Sequence, residues 1–401
     1  MWRAEIQQLR PRSRAIRKRS EVLKVSNQEA LAGARRVVLV GGGTAGHVEP
    51  ALAVGNWLRT QDSSLAFDFI GTKSGIENEL VPAAGFNLRC ITKVPLPRTL
   101  NISAITFPFR FILSLFQALR IVRGASVIIG FGGYVSASAY VAGKMTGVPI
   151  VIHEANALPG WSNRLGARLA ARVAVAFPSV PQKFPKWKMA SVVGMPIRRS
   201  ISELAKLSEP ALNAKRTEIL QSLGFTAELP VVLVFGGSQG SLALNAAIQE
   251  FARSIEANKI QFIHAVGMKN SLPVATTNYR PLSYIYEMAD MYLAADLIIS
   301  RSGAVTCAEI EEVHKFAVLV PLAIGNGEQV ANAQHLVEDG AALICTSQDF
   351  GLDWLKKNLV STLDSAYRFN ATPRKMVSES ADQLLVEMAL ALMKNGLKGE
   401  R

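Results

Sequence analysis

The 401-residue sequence predicts an α/β protein made of two doubly wound parallel-sheet domains that face each other across a cleft. Three observations predict this. Short β-branched runs alternate with alanine- and leucine-rich helical stretches, that rhythm occurs twice, and a glycine-rich turn follows the first strand of each series. Apolar runs of this kind suit strands buried on both faces, as in parallel sheets covered by helices. The chain is 49% hydrophobic, enough to bury two cores of ordinary size.

The first series opens at Val37 with "VVLV" and continues through "LAFDFIG", "ASVIIGFGGY" and "PIVIHEAN". The second opens with "PVVLVFGGSQGS" and continues through "QFIHAVG", "LIISRSGA", "FAVLVPLA" and "AALIC". Between them, "SVVGMPIRRS" carries Gly194 and Pro196, a hinge signal because proline disfavours helix in the residue before it. The expected organisation is a basic extension over 1–36, a first domain over 37–195 and a second over 196–379. An amphipathic helix at about 380–398 could pack on either half.

The formal charge is +13, and the first 36 residues carry ten basic side chains against three acidic ones. Such a head reads as a solvated arm, or as an arm drawn to anionic lipid at about 1 kcal/mol per basic residue. No window reaches roughly 18 uninterrupted apolar residues, and the first residues lack the apolar core of a secretory signal, so a cytoplasmic catalytic part is expected. Three widely spaced cysteines and five histidines without ligand spacing predict no disulfide framework and no metal. No recognition module accompanies the charge, so nucleic acid is not an expected partner.

The stretch "GGGTAGHVEP" combines a tight turn with a helix N-terminus whose free N–H groups suit an anion. A dinucleotide fold would add an acid at the end of the second strand, yet that strand ends in Gly71, Thr72 and Lys73 with Asp68 inside it, which disfavours a dehydrogenase. A lone histidine usually caps or packs a turn. Beside an anion-binding turn, however, His47 is also placed to take a proton from a substrate hydroxyl. "GGSQGS" repeats the cradle, with Ser238 able to donate to a phosphate oxygen, and neither turn has the ending of a nucleoside-triphosphatase loop. In "SRSGAVTCAEI", Glu309 is either a solvated helix carboxylate or an acceptor for two ribose hydroxyls. "HEAN", from His153 to Asn156, caps a strand with polar groups at the cleft side, either as site residues or as a satisfied turn network. "PLPRTLNISAITFPFRFILSLFQALRIVRG" is either a core-packed helix with snorkelling arginines or an apolar patch rimmed by Arg98, Arg110, Arg120 and Arg123 that seats on anionic lipid.

Taken in order, "GGGTAGHVEPALAV", "GFGGYVSASAYVAGKMTGVPIVIHEANALPGWSNRL", "VVGMPIR", "VVLVFGGSQGSLALN", "MADMYLAADLIISRSGAVTCAEI" and "GNGEQVANAQHL" resemble the motifs of the bacterial peptidoglycan glycosyltransferases of the MurG family. The similarity runs from about Val37 into the C-terminal helix. It implies a GT-B fold, with the last helix returning to the first domain. It implies inverting, metal-independent transfer of N-acetylglucosamine (GlcNAc) from UDP-GlcNAc, without a cofactor, to the C4 hydroxyl of N-acetylmuramoyl (MurNAc)-pentapeptide on undecaprenyl diphosphate. The place it implies is the cytoplasmic face of the cell membrane, with the protein peripheral.

By motif, the resemblance implies that Thr44, Ala45 and Gly46 lie near the donor diphosphate and the acceptor. Asn156 would meet the donor sugar, Arg198 would follow the hinge proline, Ser238 would contact phosphate, and the main chain of Ile285 would meet uracil. The helix start Ala304, Val305, Thr306, Cys307, Ala308 and Glu309 would hold sugar and ribose, and Gln329 would read sugar hydroxyls. His47 is the candidate base and Glu154 the second, with His153 behind them. Three positions depart from the family pattern. Ala45 stands where many members have glycine and would be strained at positive φ. Glu328-Gln329 replaces a glutamine pair, and Met195 replaces the asparagine before the hinge proline. Two other readings compete: another UDP-sugar enzyme of this fold, either a glycolipid synthase or a UDP-GlcNAc 2-epimerase, and a non-catalytic nucleotide-sugar-binding membrane protein.

Overall fold

The computed structural model describes residues 35–95, 102–183, 187, 189–204, 206–237, 239–322, 327–373 and 380–398. The basic head up to residue 34, Arg98 and Ser238 lie outside them. The first sheet holds β1 (Arg36–Val40), β2 (Ala66–Gly71), β3 (Asn87–Cys90), β4 (Val127–Gly130), β5 (Ile150–Glu154), β6 (Arg172–Val175) and β7 (Ser191–Val192), in the order β3-β2-β1-β4-β5-β6-β7. The second holds β8 (Val231–Phe235), β9 (Gln261–Ala265), β10 (Tyr279–Leu282), β11 (Leu297–Ser300), β12 (Ala317–Leu319) and β13 (Ala342–Ile344), in the order β10-β9-β8-β11-β12-β13. Every pairing between these strands is parallel.

The helices around the first sheet are α1 (Ala45–Gln61), α2 (Glu77–Ala83), α3 (Ile102–Val122), α4 (Ser136–Thr146), α5 (Trp161–Gly166) and α6 (Ser179–Lys183). Those around the second are α7 (Arg199–Leu204), α8 (Glu209–Leu223), α9 (Leu242–Phe251), α10 (Met288–Ala294), α11 (Ala304–Val313), α12 (Glu328–Glu338) and α13 (Leu352–Asn370). The last helix, α14 (Ala381–Lys398), crosses back and buries Leu385, Val386, Ala389 and Met393 against β1 and α1. Gly194 stands at φ +82 close to Ala381, so the two crossings between the domains adjoin.

The central strands β1 and β8 are buried on both faces, which is why their sequences are continuous apolar runs rather than alternating ones. Each sheet reverses strand order beside its central strand, between β1 and β4 and between β8 and β11. Ligands bind outside the carboxyl ends of strands at such points. Both glycine turns occupy them, one between β1 and α1 and the other between β8 and α9.

Two features of the first domain differ from a simple sequence reading. Arg36 belongs to β1, where it pairs with Asp68 at 2.8 Å, and Arg35 pairs with Asp62, so these two basic residues are structural. Asp68 also accepts from Asn87 at 2.6 Å and Arg89 at 3.1 Å, which makes it a sheet ion-pair centre and accounts for its place inside a buried strand. On α3, Ala118 and Val122 are buried on the first sheet, while Ile105, Phe109, Ile112, Leu113 and Phe116 form an exposed face at helical spacing. By length and composition this helix could cross a membrane, but here one side packs on the sheet and the other carries the apolar stripe.

Candidate active site

The first lip of the cleft is built on a buried carboxylate. Glu77, at the start of α2, accepts from the Gly43 N–H at 3.1 Å and from the N–H and hydroxyl of Thr72, both at 2.8 Å. This clamps the turn after β1 to the end of β2. Thr44 then caps α1 in an extended conformation, with its hydroxyl 3.1 Å from Nδ1 of His47. Ala45 and Gly46 occupy the first turn, where helix geometry leaves N–H groups outside the ladder. Ala45 is helical, and among the described residues only His314 combines a side chain with positive φ, so alanine meets no backbone strain here.

His47 is half-buried, and burial holds its pKa below 6.5, opposed by the Gly42 carbonyl and the charge of Glu77. Its neutral form therefore dominates at neutral pH, as a general base requires. The loop after β4 closes over it. Gly132 stands at φ +95, and a Cβ there would sit 3.3 Å from Nε2 of His47.

The "HEAN" segment follows the turn-network reading rather than the catalytic one. Both oxygens of Glu154 are used: one accepts from the main chain and side chain of Asn156 at 2.9 and 3.2 Å, the other from Gly160 N–H and Asn163 Nδ2, both at 3.0 Å. Burial raises its pKa and these four donors oppose the rise. Glu154 is thus a clamp for the loop after β5 and not a free second base. His153 donates from Nε2 to the Gly194 carbonyl at 2.8 Å, and burial lowers its pKa to about 4, so it too is structural.

The second lip is held by a cation. Arg301, just after β11, donates to the hydroxyls of Ser241 at 2.7 Å and Ser347 at 2.6 Å and to the carbonyls of Val320 and Pro321 at 2.8 and 3.1 Å. Ser241 in turn caps α9 by accepting from Leu244 N–H. Asn270 donates to the carbonyls of Gln239 at 3.0 Å and Val266 at 2.7 Å, fixing the turn against the end of β9.

Helix α11 begins at Ala304, with its N-terminus towards the cleft and packed near α1. Glu309 is buried; its Oε2 accepts from Tyr292 at 3.0 Å and its Oε1 has no hydrogen-bond partner. Burial raises its pKa and Arg198 opposes this. One oxygen of the two is therefore buried without a hydrogen-bond partner. Val305, Thr306 and Ala308 are partly exposed, whereas Cys307 is fully buried in the core of the second sheet and donates its N–H to Gly303 at 2.9 Å. Cys307 thus serves the fold, because its position on α11 faces the sheet. The Ile285 side chain is likewise in that core, which leaves only its main chain for the cleft. Gln329 accepts from Leu322 N–H at 2.9 Å, so its amide nitrogen remains for other contacts.

The two lips touch. Asn332 on α12 accepts from the Ala157 N–H at 2.9 Å and donates to Asn156 Oδ1 at 3.3 Å, across the domain boundary. Ala155 and Met195 pack with Ala304 in an apolar seam, which is where methionine in place of asparagine fits. Arg198 reaches from the start of the second domain to Glu49 on α1 at 2.7 Å and lies 3.8 Å from Glu309. Burial disfavours its charge, yet Glu309 and Glu49 outweigh that and raise its pKa. Glu49, Glu77, Asn163, Asn332 and Arg301 were not singled out from the sequence. Gly75 is a sequence signal that could have pointed to Glu77, since a Cβ there would overlap its carboxylate. No three His, Cys, Asp or Glu side chains among the described residues group so as to hold a metal ion.

Residues 37–175 match the glycosyltransferase family 28 N-terminal domain and residues 231–388 its C-terminal domain. The chain is 42% identical over 363 residues to the UDP-N-acetylglucosamine:N-acetylmuramyl-(pentapeptide) pyrophosphoryl-undecaprenol N-acetylglucosamine transferase of Streptomyces coelicolor, covering 88% of this chain and 96% of that protein. It is 39% identical to the transferase of the same name from Corynebacterium diphtheriae, covering 90% and 98%. The crystal structure of Acinetobacter baumannii MurG superposes with a TM-score of 0.64 at 26% identity, over 89% of this chain and 99% of that one. A UDP-GlcNAc 2-epimerase from Neisseria meningitidis superposes at 0.56 with 12% identity over 89% and 100%, which shows a shared fold alone. The chain belongs to glycosyltransferase family 28 and, within it, to the MurG transferases.

Proposed function

We propose that this protein transfers GlcNAc from UDP-GlcNAc to the C4 hydroxyl of MurNAc-pentapeptide on undecaprenyl diphosphate, with inversion, at the cytoplasmic face of the membrane. The observation that carries the reading is the cleft itself: a neutral, half-buried His47 on one lip opposes, on the other, a helix N-terminus bearing Glu309 with an unpartnered oxygen. In this reading residues 37–195 receive the lipid acceptor and residues 196–379 the nucleotide sugar.

His47 acts through Nε2, which requires the tautomer whose Nδ1–H donates to Thr44. The C4 hydroxyl gives its proton to Nε2 as its oxygen attacks the anomeric carbon. The bond from that carbon to the diphosphate oxygen breaks on the opposite face, and UDP leaves with the bonding pair. The leaving charge is met by the N–H groups at the start of α11, by Ser238 and by Arg198, with no cofactor invoked. Glu309 Oε1 accepts from ribose, the Ile285 main chain meets uracil, and Asn156 and Gln329 face the sugar. Thr44, Ala45 and Gly46 line the path of the acceptor. The apolar stripe on α3, with exposed Arg110, Arg120 and Arg123 nearby, seats the protein on an anionic surface as a peripheral protein, where the undecaprenyl chain is anchored.

The test is incubation with labelled UDP-GlcNAc and a short-chain MurNAc-pentapeptide diphospholipid. The expected product is a β-linked disaccharide-lipid. UDP-GlcNAc binding without transfer across a range of detergents, or conversion of the donor alone to its 2-epimer, would overturn the reading.

A further inference from the structure

Arg198 is the one guanidinium described above that touches carboxylates of both domains. Its Nη2 donates to Glu49 at 2.7 Å, and its Nη1 lies 3.8 Å from Glu309, too far for a hydrogen bond. The three side chains are 21%, 13% and 5% exposed respectively, so little water competes for them. Glu49 and His47 lie two residues apart on α1, a spacing that sends side chains to nearly opposite sides of a helix. His47 faces the loop after β4 and Glu49 faces the second domain. One turn of one helix thus carries both the candidate base and the anchor of the cation opposite it.

We infer that Glu49 is a positioning residue that pins the Arg198 guanidinium across the cleft, leaving its second nitrogen preset for the departing diphosphate. The inference rests on the function proposed above. A free arginine side chain must give up rotamer freedom to be held in place. Here Glu49 has already taken that freedom. Glu49 also competes with Glu309 for the guanidinium. Without it, the nearest carboxylate left to Arg198 is Glu309, and closing that 3.8 Å gap would occupy the oxygen reserved for ribose.

Glu49→Gln keeps the size and removes the charge. The expected result is a roughly tenfold rise in donor KM, a smaller fall in kcat and an unchanged acceptor KM, with Glu49→Asp in between. Because Glu49 acts through Arg198, the double variant Glu49→Gln/Arg198→Lys should be no more than about twofold worse than Arg198→Lys alone. Calorimetric UDP affinity, which needs no turnover, should weaken about tenfold in Glu49→Gln. Failure of transfer by the unaltered protein would strike the proposed function, while the UDP titration would still report on Glu49. Unchanged UDP affinity, multiplicative losses in the double variant, or a lowered melting temperature with both KM values unmoved would each overturn the inference.

Discussion

The two glycine turns share a backbone plan and differ in what lies beneath them. Under the first is the Glu77 carboxylate, which takes the Gly43 N–H that a phosphate would otherwise use. Under the second are the Arg301 guanidinium and the Asn270 amide, which bind side-chain and main-chain oxygens and leave positive charge near the turn. A fixed negative charge repels a diphosphate and raises the pKa of a nearby imidazole; a fixed positive charge attracts a diphosphate. In the function proposed above, the same motif then serves once beside the proton acceptor and once beside the donor diphosphate.

The largest expected effect tests the first lip. His47→Ala should lower kcat by about 10²–10⁴ while leaving donor KM within about threefold, read by steady-state transfer kinetics. A near-normal kcat at saturating acceptor would remove the base and with it the contrast.

Next is the packing of the turns. Gly133 stands at φ +93, and a Cβ there would lie 2.4 Å from the Gly42 carbonyl oxygen; Gly237 stands at φ +84 with nothing within 4 Å. Gly133→Ala should therefore cost about 1–3 kcal/mol in urea unfolding and reduce activity, and Gly237→Ala only about 1 kcal/mol of left-handed strain. Equal losses would show that crowding between the turns does not distinguish them.

Each half also buries a neutral histidine, His153 in the first sheet and His264 in the second, each with a pKa lowered by burial to about 4. The unfolded chain binds protons near pH 6.5 and the folded chain does not until about pH 4, so stability falls as pH drops through that window, by roughly 1–3 kcal/mol per group. Denaturant titrations between pH 7 and 4 check the sign. His264→Gln, which can still meet Tyr279 and Asn245, should flatten the slope.

The smallest effects separate the two clamps. Arg301→Lys loses the planar fork that spans Ser241 and Ser347 and should raise donor KM about five- to tenfold with kcat nearly kept. Glu77→Gln should leave donor KM alone and lower the His47 pKa, because the Glu77 charge raises it. The rate falls as pH drops through that pKa, so the acid limb of kcat/KM lies below pH 6.5 in the unaltered protein and lower still in the variant. An acid limb that does not move would separate Glu77 from the base.

Much of this was legible in the chain. Continuous apolar runs such as "VVLV" and "VVLVF" specify strands buried on both faces, because only a parallel sheet covered by helices buries them fully. The doubled strand, glycine turn and helix pattern located both lips, and the GT-B fold follows. The site was legible as positions but less so as roles. Glu154 looked like a spare base because a sequence does not reveal that four donors converge on it. Cys307 sat inside a motif, and only the rotation of α11 turned it to the core.

Local sequence determined the elements, the turns and the candidate base, since strand period, glycine freedom and helix starts are encoded within a few residues. Tertiary structure decided which charges meet. Glu77 beneath Gly43, Arg301 beneath Ser241, and Arg198 between Glu49 and Glu309 join residues 34, 60, 149 and 111 positions apart, and such pairs form only where the chain's return path brings them together. The Ala45 question closed for the same reason: the sequence posed a backbone strain, and the Glu77-clamped turn, by starting the helix at that residue, removed it.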